Sequence, residues 1–366
     1  MIKLFEPLTL RDLTLVNRAW MSPMCQYSAE QTGPWTGAPN EWHHTHLVSR
    51  AIGGAGLIVV EATAVSPEGR TSPADLGIWN SRQADAFAEL VHHIEQFGSV
   101  AGIQLNHAGR KGSSTVPWHG KRSLPEDSPH SWPTLAPSAV PFGHFTTPRA
   151  ATKDDIAAVI DDFRAAAARA CTAGFKVLEI HAAHGYLIHQ FLSPQSNFRT
   201  DEYGGCFDNR IRLLIEVVDA VRKEWPAALP LFVRLSATDW LGEEKGTASR
   251  SWTPLQSVLL AQRLREHGVD LIDVSTGGNS PDAHIPIGAG YQVPFAARIQ
   301  HEAGIPTAAV GMITDPDHAE KILSSGDASA IFIAREMIRD PYWPRRAARA
   351  LGADIHPAPA PYRRAM

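Results

Sequence analysis

Short apolar runs rich in valine, isoleucine and leucine recur along the chain, each closed by turn residues and followed by a longer stretch with helical spacing of its apolar positions. The runs cover residues 19–24, 56–63, 100–106, 177–183, 231–237, 271–277, 307–313 and 330–337, and they predict eight strands. Between them the spacing predicts helices over 84–97, 153–173 behind a Thr152 cap, 209–225 behind Asp208, 255–267 behind Thr253-Pro254, 295–302 and 316–324. Several of these end at glycine, at Gly98, Gly174, Gly268, Gly304 and Gly326, where a left-handed residue closes a helix at little cost. Strands that are apolar throughout belong to a parallel sheet covered on both faces, and eight of them alternating with helices predict an α/β fold, the (β/α)8 TIM barrel. An open doubly wound sheet is the alternative. Against it, no strand leads into a G-x-G-x-x-G turn, so the dinucleotide fingerprint is missing.

One connection breaks the rhythm. Residues 107–150, after the third strand, are rich in proline, serine, tryptophan and histidine, and they are expected to fold as a capping insertion over the barrel mouth, ordered by Trp118 and Trp132. The chain therefore reads as one domain over 1–366, with this insertion and a Pro-rich C-terminal tail, 353–366.

Charge and composition narrow the partners. A net charge of -4 with both signs spread along the chain leaves no basic face for a phosphate backbone, so nucleic acid is not expected as a partner. No apolar run approaches a spanning length and the first ten residues lack a signal-peptide pattern, so neither a membrane nor export is expected. Cys25, Cys171 and Cys206 are too few and too scattered for a disulfide framework or a Cys-based zinc site, which suits a cytoplasmic protein.

In a barrel of this kind the reactive groups gather at the C-terminal ends of the strands. Those ends carry Ser22-Pro23-Met24-Cys25-Gln26-Tyr27, Glu61-Ala62-Thr63, Gln104 with Asn106-His107-Ala108-Gly109-Arg110-Lys111, His181-Ala182-Ala183-His184-Gly185-Tyr186, and Arg234. The last two end in Val310-Gly311 and Ala334-Arg335, where this fold commonly binds phosphate: a glycine lets backbone N–H groups approach, and an arginine forks onto the oxygens. His181 and His184 have two functional readings, as metal ligands completed by His107 or Asp239, or as hydrogen-bond donors to a carbonyl oxygen that gains negative charge. Two incidental polar residues in a loop are the third. Arg234 either pairs with a neighbouring acid such as Glu179 or stabilises the negative charge of a reduced flavin near N1 and the C2 carbonyl. Gln104 suits the hydrogen-bonding edge of a flavin's pyrimidine ring, and Cys25 is either a small buried hydrophobe or a group that tunes that ring.

Taken in order over essentially the full length, these segments resemble the Old Yellow Enzyme family, and within it the bacterial ene-reductase class with a cysteine after the Pro-Met pair. Arg199-Thr200-Asp201-Glu202-Tyr203-Gly204-Gly205, Arg234-Leu235-Ser236-Ala237, Gly290-Tyr291-Gln292-Val293 and Val310-Gly311-Met312-Ile313-Thr314 extend the resemblance. It implies an enzyme with bound FMN that takes hydride from NADPH, or NADH, and delivers it to the β-carbon of an α,β-unsaturated carbonyl compound. The resemblance assigns the carbonyl to His181 and His184, the proton for the α-carbon to Tyr186, and a substrate contact to Tyr27. It assigns the flavin to Pro23, Cys25, Ala62, Gln104, Arg234, Gly311 and Arg335, with Ser22, Met24, Val310 and Ala334 beside them, and it implies no metal. Small enones, enals, quinones and nitro compounds are the implied acceptors.

The chain departs from the family pattern in two places. Ala334 stands where glycine usually precedes the phosphate arginine, and the tail carries two successive arginines, Arg363 and Arg364, where the class sends a residue into a neighbouring subunit's site. Arg364 is taken as the substrate contact, which implies a homodimer or homotetramer. A zinc hydrolase built on His107, His181 and His184, and a flavin carrier without turnover, are the competing readings.

Overall fold

The computed structural model describes residues 2–120, 122–242 and 250–365. The predicted barrel is present: eight parallel strands close on themselves in chain order. They are β1 (Ala19–Met21), β2 (Leu57–Ala64), β3 (Val100–Asn106), β4 (Val177–Ala182), β5 (Leu231–Ser236), β6 (Leu271–Ser275), β7 (Thr307–Ala309) and β8 (Ala330–Ile333). Closure comes from β8 pairing with β1, with Ile331 opposite Ala19, Phe332 opposite Trp20 and Ile333 opposite Met21.

Every one of these strands is buried on both faces, and the alternation along them separates two apolar regions. One face, including Met21, Ile58, Val60, Ile103, Leu178, Ile180, Val233 and Ile272, packs against the surrounding helices. The other forms the floor inside the barrel, from Trp20, Leu57, Val59, Val177, Phe232, Leu271, Ala308 and Phe332. Trp20 stacks on Phe232 with ring centroids 5.9 Å apart and meets Phe332 edge-on at 5.5 Å. Leu10 and Leu15, from an N-terminal hairpin (Leu8–Leu10, Leu13–Leu15), join this cluster.

Two residues further along five of the inward rows the side chains turn polar. Val59 is followed by Glu61, Gly102 by Gln104, Val177 by Glu179 and His181, Phe232 by Arg234 and Ser236, and Leu271 by Asp273 and Ser275. A two-residue period thus carries an apolar floor into a polar layer at the C-terminal rim.

The outer helices are α1 (Glu41–Ile52), α2 (Ser81–Glu95), α3 (Lys153–Thr172), a short α4 (Leu187–Leu192), α5 (Phe207–Glu224), α6 (Pro254–Glu266), α7 (Val293–Ala303), α8 (Pro316–Ser324), α9 (Arg335–Arg339) and α10 (Trp343–Leu351). Thr152 and Thr253 cap α3 and α6 as predicted, each accepting from the backbone N–H three residues on. Asp208 does not cap α5: Cys206 holds that position and Asp208 lies in the first turn, where its charge complements the helix dipole. Strands seven and eight are shorter than predicted. Ala334 adopts φ -99°, ψ -106°, and 335–339 are helical, so the run at 330–337 is a strand followed by a helix. No described helix is long and apolar enough to cross a membrane.

Among the described residues of 107–150 there are two short 3-10 turns (Gly109–Lys111 and Pro117–His119) and a two-residue parallel pair (Leu135–Ala136 with Arg149–Ala150). Trp118 meets Tyr27 edge-on at 5.9 Å, and Trp132 donates from its indole to the Glu68 carbonyl, 3.0 Å, while lying under the Arg70 guanidinium.

Candidate active site

The inward rows place four polar side chains in one buried layer. The Gln104 amide donates to Glu179 Oε1 at 2.7 Å, and Arg234 Nε lies 3.1 Å from Asp273 Oδ2. Arg234 therefore pairs most closely with Asp273, a residue that sequence reasoning overlooked, and not with Glu179. Burial raises both acids above the usual carboxylate range; for Glu179 the nearby Asp273 adds to this, and for each the Arg234 charge opposes it. Glu179 Oε2, both Asp273 oxygens, Arg234 Nε and Ser22 Oγ have no hydrogen-bond partner among the described residues. Such a set at the floor of a cleft offers donors and acceptors for the polar edge of a bound ring.

Next to Arg234, a cavity of about 490 Å³ is lined by Ser275, Gln292, Val310, Gly311, Ala334 and Arg335. Gly311 has φ +122°, and a Cβ there would come within 2.9 Å of Gln292 Nε2, so the close backbone approach depends on glycine. The Gln292 amide donates to the Val310 carbonyl at 2.9 Å, which holds this corner in place. Ala334, where the resemblance expects glycine, has a negative φ of -99°. An arginine and a glycine cradle at the ends of β7 and β8 fit a phosphate group, and the unpartnered layer beside them fits the ring of the same cofactor.

The second wall rises from β4. His181 Nδ1 accepts from the Ala183 N–H at 3.2 Å, so its Nε2 carries the proton. That Nε2 lies 3.3 Å from His184 Nδ1, and His184 Nε2 is 2.7 Å from Ser275 Oγ. The Tyr186 ring sits edge-on to His181, centroids 5.0 Å apart. Burial first, then the Arg234 charge, keeps both imidazoles well below their ordinary pKa, so they are neutral. Burial raises the Tyr186 and Tyr27 phenols, and the nearby Cys25 raises both further. His184 holds φ +60°, and Lys111 from the insertion donates to the carbonyls of His184, 2.8 Å, and Gly278. A Cβ on Gly185 would lie 2.2 Å from the Gly278 carbonyl oxygen. The β4 and β6 loops are therefore locked together. The third ligands considered for a metal here are held elsewhere: Asp239 lies 3.1 Å from His189 and accepts from Ser193, and His107 Nδ1 accepts from the Gly109 N–H.

The third wall is the segment after β1, with Ser22, Pro23, Met24, Cys25 and Tyr27. Its start is tied to β8 by Ser22 N–H donating to the Ile333 carbonyl, 3.0 Å. Its middle is tied by Gln26 N–H donating to Glu61 Oε1 at 2.7 Å, next to the buried Ala62. His43 Nδ1 lies 3.2 Å from the Asn40 N–H and 3.0 Å from Asn40 Oδ1 at the start of α1, and its Nε2 lies 3.9 Å from Glu61 Oε2. Glu61 appeared in the sequence only as part of a motif; its acid two residues above an inward valine was the signal. Burial pushes its pKa up to about 8. The tail's Arg364 is exposed and lines neither wall nor cavity within its own chain.

The chain is similar to known proteins over nearly its whole length. The family model described as NADH:flavin oxidoreductase / NADH oxidase matches residues 3–354. An NADPH dehydrogenase of Geobacillus thermodenitrificans is 48% identical over 362 residues, covering 99% of this chain and 98% of the relative. One from Bacillus subtilis is 46% identical over 363 residues, covering 99% and 98%. Among solved structures, morphinone reductase in complex with tetrahydroNAD superimposes with a TM-score of 0.77 at 27% identity, over 98% of this chain and 93% of that one. A 2-naphthoyl-CoA reductase gives 0.83 at 25% identity over 96% of this chain, which spans only 52% of that longer protein.

Proposed function

This chain belongs to the NADH:flavin oxidoreductase / NADH oxidase family, an FMN-dependent oxidoreductase of the Old Yellow Enzyme type using a nicotinamide donor, and on that premise we propose that it reduces the conjugated double bond of small enones and enals. The observation that carries this reading is the approach of His181 Nε2 and His184 Nδ1 to 3.3 Å beside the protonated Tyr186 phenol. Quinones and nitro compounds share the oxygen anchor and are further acceptors in this reading.

When bound, FMN supplies the two-electron relay, accepting hydride from the nicotinamide and passing it to the acceptor. Gln104 and Arg234 would hold its pyrimidine edge, with Ser22, Pro23, Met24, Cys25 and Ala62 along the ring and Val310, Gly311, Ala334 and Arg335 around the phosphate. Opposite them, His181 and His184 hold the substrate carbonyl oxygen through two N–H bonds. Their neutrality suits that task, because a neutral imidazole donates a hydrogen bond to a developing oxyanion and keeps its proton. For His184 to donate through Nδ1, its Nε2 must accept, and the Ser275 hydroxyl, which now donates to Gln292 Oε1 at 3.2 Å, has to turn toward it. Tyr186 delivers the proton to the α-carbon, and Tyr27 borders the substrate. The exposed Arg364 is left to a neighbouring subunit's site in a homodimer or homotetramer.

The two half-reactions separate these roles. Tyr186→Phe is expected to leave bleaching of the flavin by NADPH unchanged and to slow reoxidation by an enone by about 10²–10⁴, the usual size of a general-acid contribution, with a quinone much less affected. Equal slowing of both half-reactions in stopped flow, or none with the enone, would overturn the assignment.

A further inference from the structure

α1 and α2 face each other across an open cavity of about 540 Å³ lined by Asn40, Glu41, His44, Thr45, Glu89 and His93, among others, none of which lines the cavity beside Arg234. His44 of α1 and His93 of α2 point Nδ1 at Nδ1 across 3.0 Å. Glu89, one turn before His93 on the same face of α2, adds a carboxylate, and one ligand atom from each of the three lies within 4.8 Å of the others. We propose that His44, Glu89 and His93 form a binding site for a divalent transition-metal ion of the zinc class, bridging the two helices.

The donor set selects the ion. Two imidazole nitrogens and one carboxylate oxygen suit zinc and its neighbours, whereas magnesium and calcium take oxygen ligands. Zinc–nitrogen bonds of about 2.0–2.1 Å in a tetrahedron place two ligand nitrogens about 3.3–3.4 Å apart, so the pair needs to open by only a few tenths of an ångström. Each ring offers a nitrogen lone pair to the ion only in its neutral form, so binding is expected to weaken as pH falls. The single carboxylate offsets half of the ion's charge, and the open cavity admits water as the fourth ligand. Both helix starts are fixed by side-chain caps: α1 begins in a capping box between Asn40 and His43, and α2 in one between Asn80 and Gln83. None of the three ligands takes part in the flavin-side chemistry, so an ion here acts on stability by clamping the helices.

The test uses the flavin-loaded chain without an affinity tag, freed of metal by a chelator and titrated with zinc chloride in a calorimeter, with cobalt chloride as an optical probe. The expected result is one zinc per chain, visible ligand-field bands from cobalt, and a melting temperature that rises with zinc. His44→Gln and His93→Gln are each expected to weaken zinc binding at least about tenfold while keeping the flavin spectrum and NADPH oxidation, which also shows that they fold. His181→Gln, at the flavin-side histidine pair, is expected to bind zinc like the parent. Zinc binding weaker than about 1 mM, or binding that survives in His44→Gln and His93→Gln, would overturn the proposal and leave a hydrogen-bonded imidazole pair only.

Discussion

At the scale of single residues, Arg335 is the most direct test of the cofactor end. It follows β8 and lines the cavity that Gly311 keeps open. Arg335→Ala is expected to lose a charge-assisted contact worth about 1.5–3 kcal/mol, a weakening of FMN binding by about tenfold to a hundredfold measured by dilution and release of flavin fluorescence. Unchanged retention would place the phosphate elsewhere. Arg335 and Gly311 were legible because strand ends in this fold have assigned roles, and His181, His184 and Tyr186 because three polar residues leave one strand in six positions. Asp273 and Ser275 were not legible, and Lys111 stood in a motif without a role. Each acts through a partner far along the chain: Asp273 through Arg234, Ser275 through His184, and Lys111 through the carbonyls of His184 and Gly278. No local pattern in the sequence announces such pairings.

At the scale of elements, the strands were found by their apolar runs, and the same runs hid their most informative feature. Read as apolar throughout, β4 and β6 look like ordinary buried strands; Glu179, His181, Asp273 and Ser275 are in fact every second residue, facing inward above Val177 and Leu271. Strands β7 and β8 were overextended because apolar character continues past the points where the backbone turns, at Gly311 and Ala334. The helix α1 has no counterpart in the predicted series: Glu-Trp-His-His-Thr-His opens it with histidines in place of aliphatic residues, and its buried face uses His43, His46 and Arg50 beside Leu47 and Ala51. Its start is nevertheless well determined by the Asn40–His43 capping box, in which histidine takes the place usually held by Glu or Gln. The boundaries of α3 and α6 were legible for the ordinary reason that threonine caps them.

At the scale of the whole molecule, buried titratable groups set a pH dependence of stability. His43, at about 4, His46, at about 3, and His107, at about 4, stay neutral in the fold and gain protons only on unfolding below about 6.5, while raised acids act with the opposite sign over the same acidic range. Above 6.5 the histidine contribution is complete and the acids remain. Glu61 keeps its proton in the folded state up to about 8, and Glu179 is raised as well, whereas the unfolded chain has released both. The folded state therefore binds more protons than the unfolded one, and stability falls as pH rises from about 6.5 to 8. Urea midpoints of the flavin-saturated protein are expected to decline across that window at constant slope, and Glu61→Gln to flatten the decline; a flat or rising profile in the parent would mean that Glu61 is ionised in the fold.

The central claim, that one barrel mouth joins a bound FMN to an acceptor anchored by two histidines, is tested most directly by an anaerobic titration of the purified protein. The account predicts a yellow protein whose flavin, released by heat, is FMN. One equivalent of NADPH bleaches it, and one equivalent of cyclohexenone restores the colour with cyclohexanone as the product. A colourless protein, a flavin that NADPH does not bleach, or colour restored by oxygen but never by the enone would contradict it.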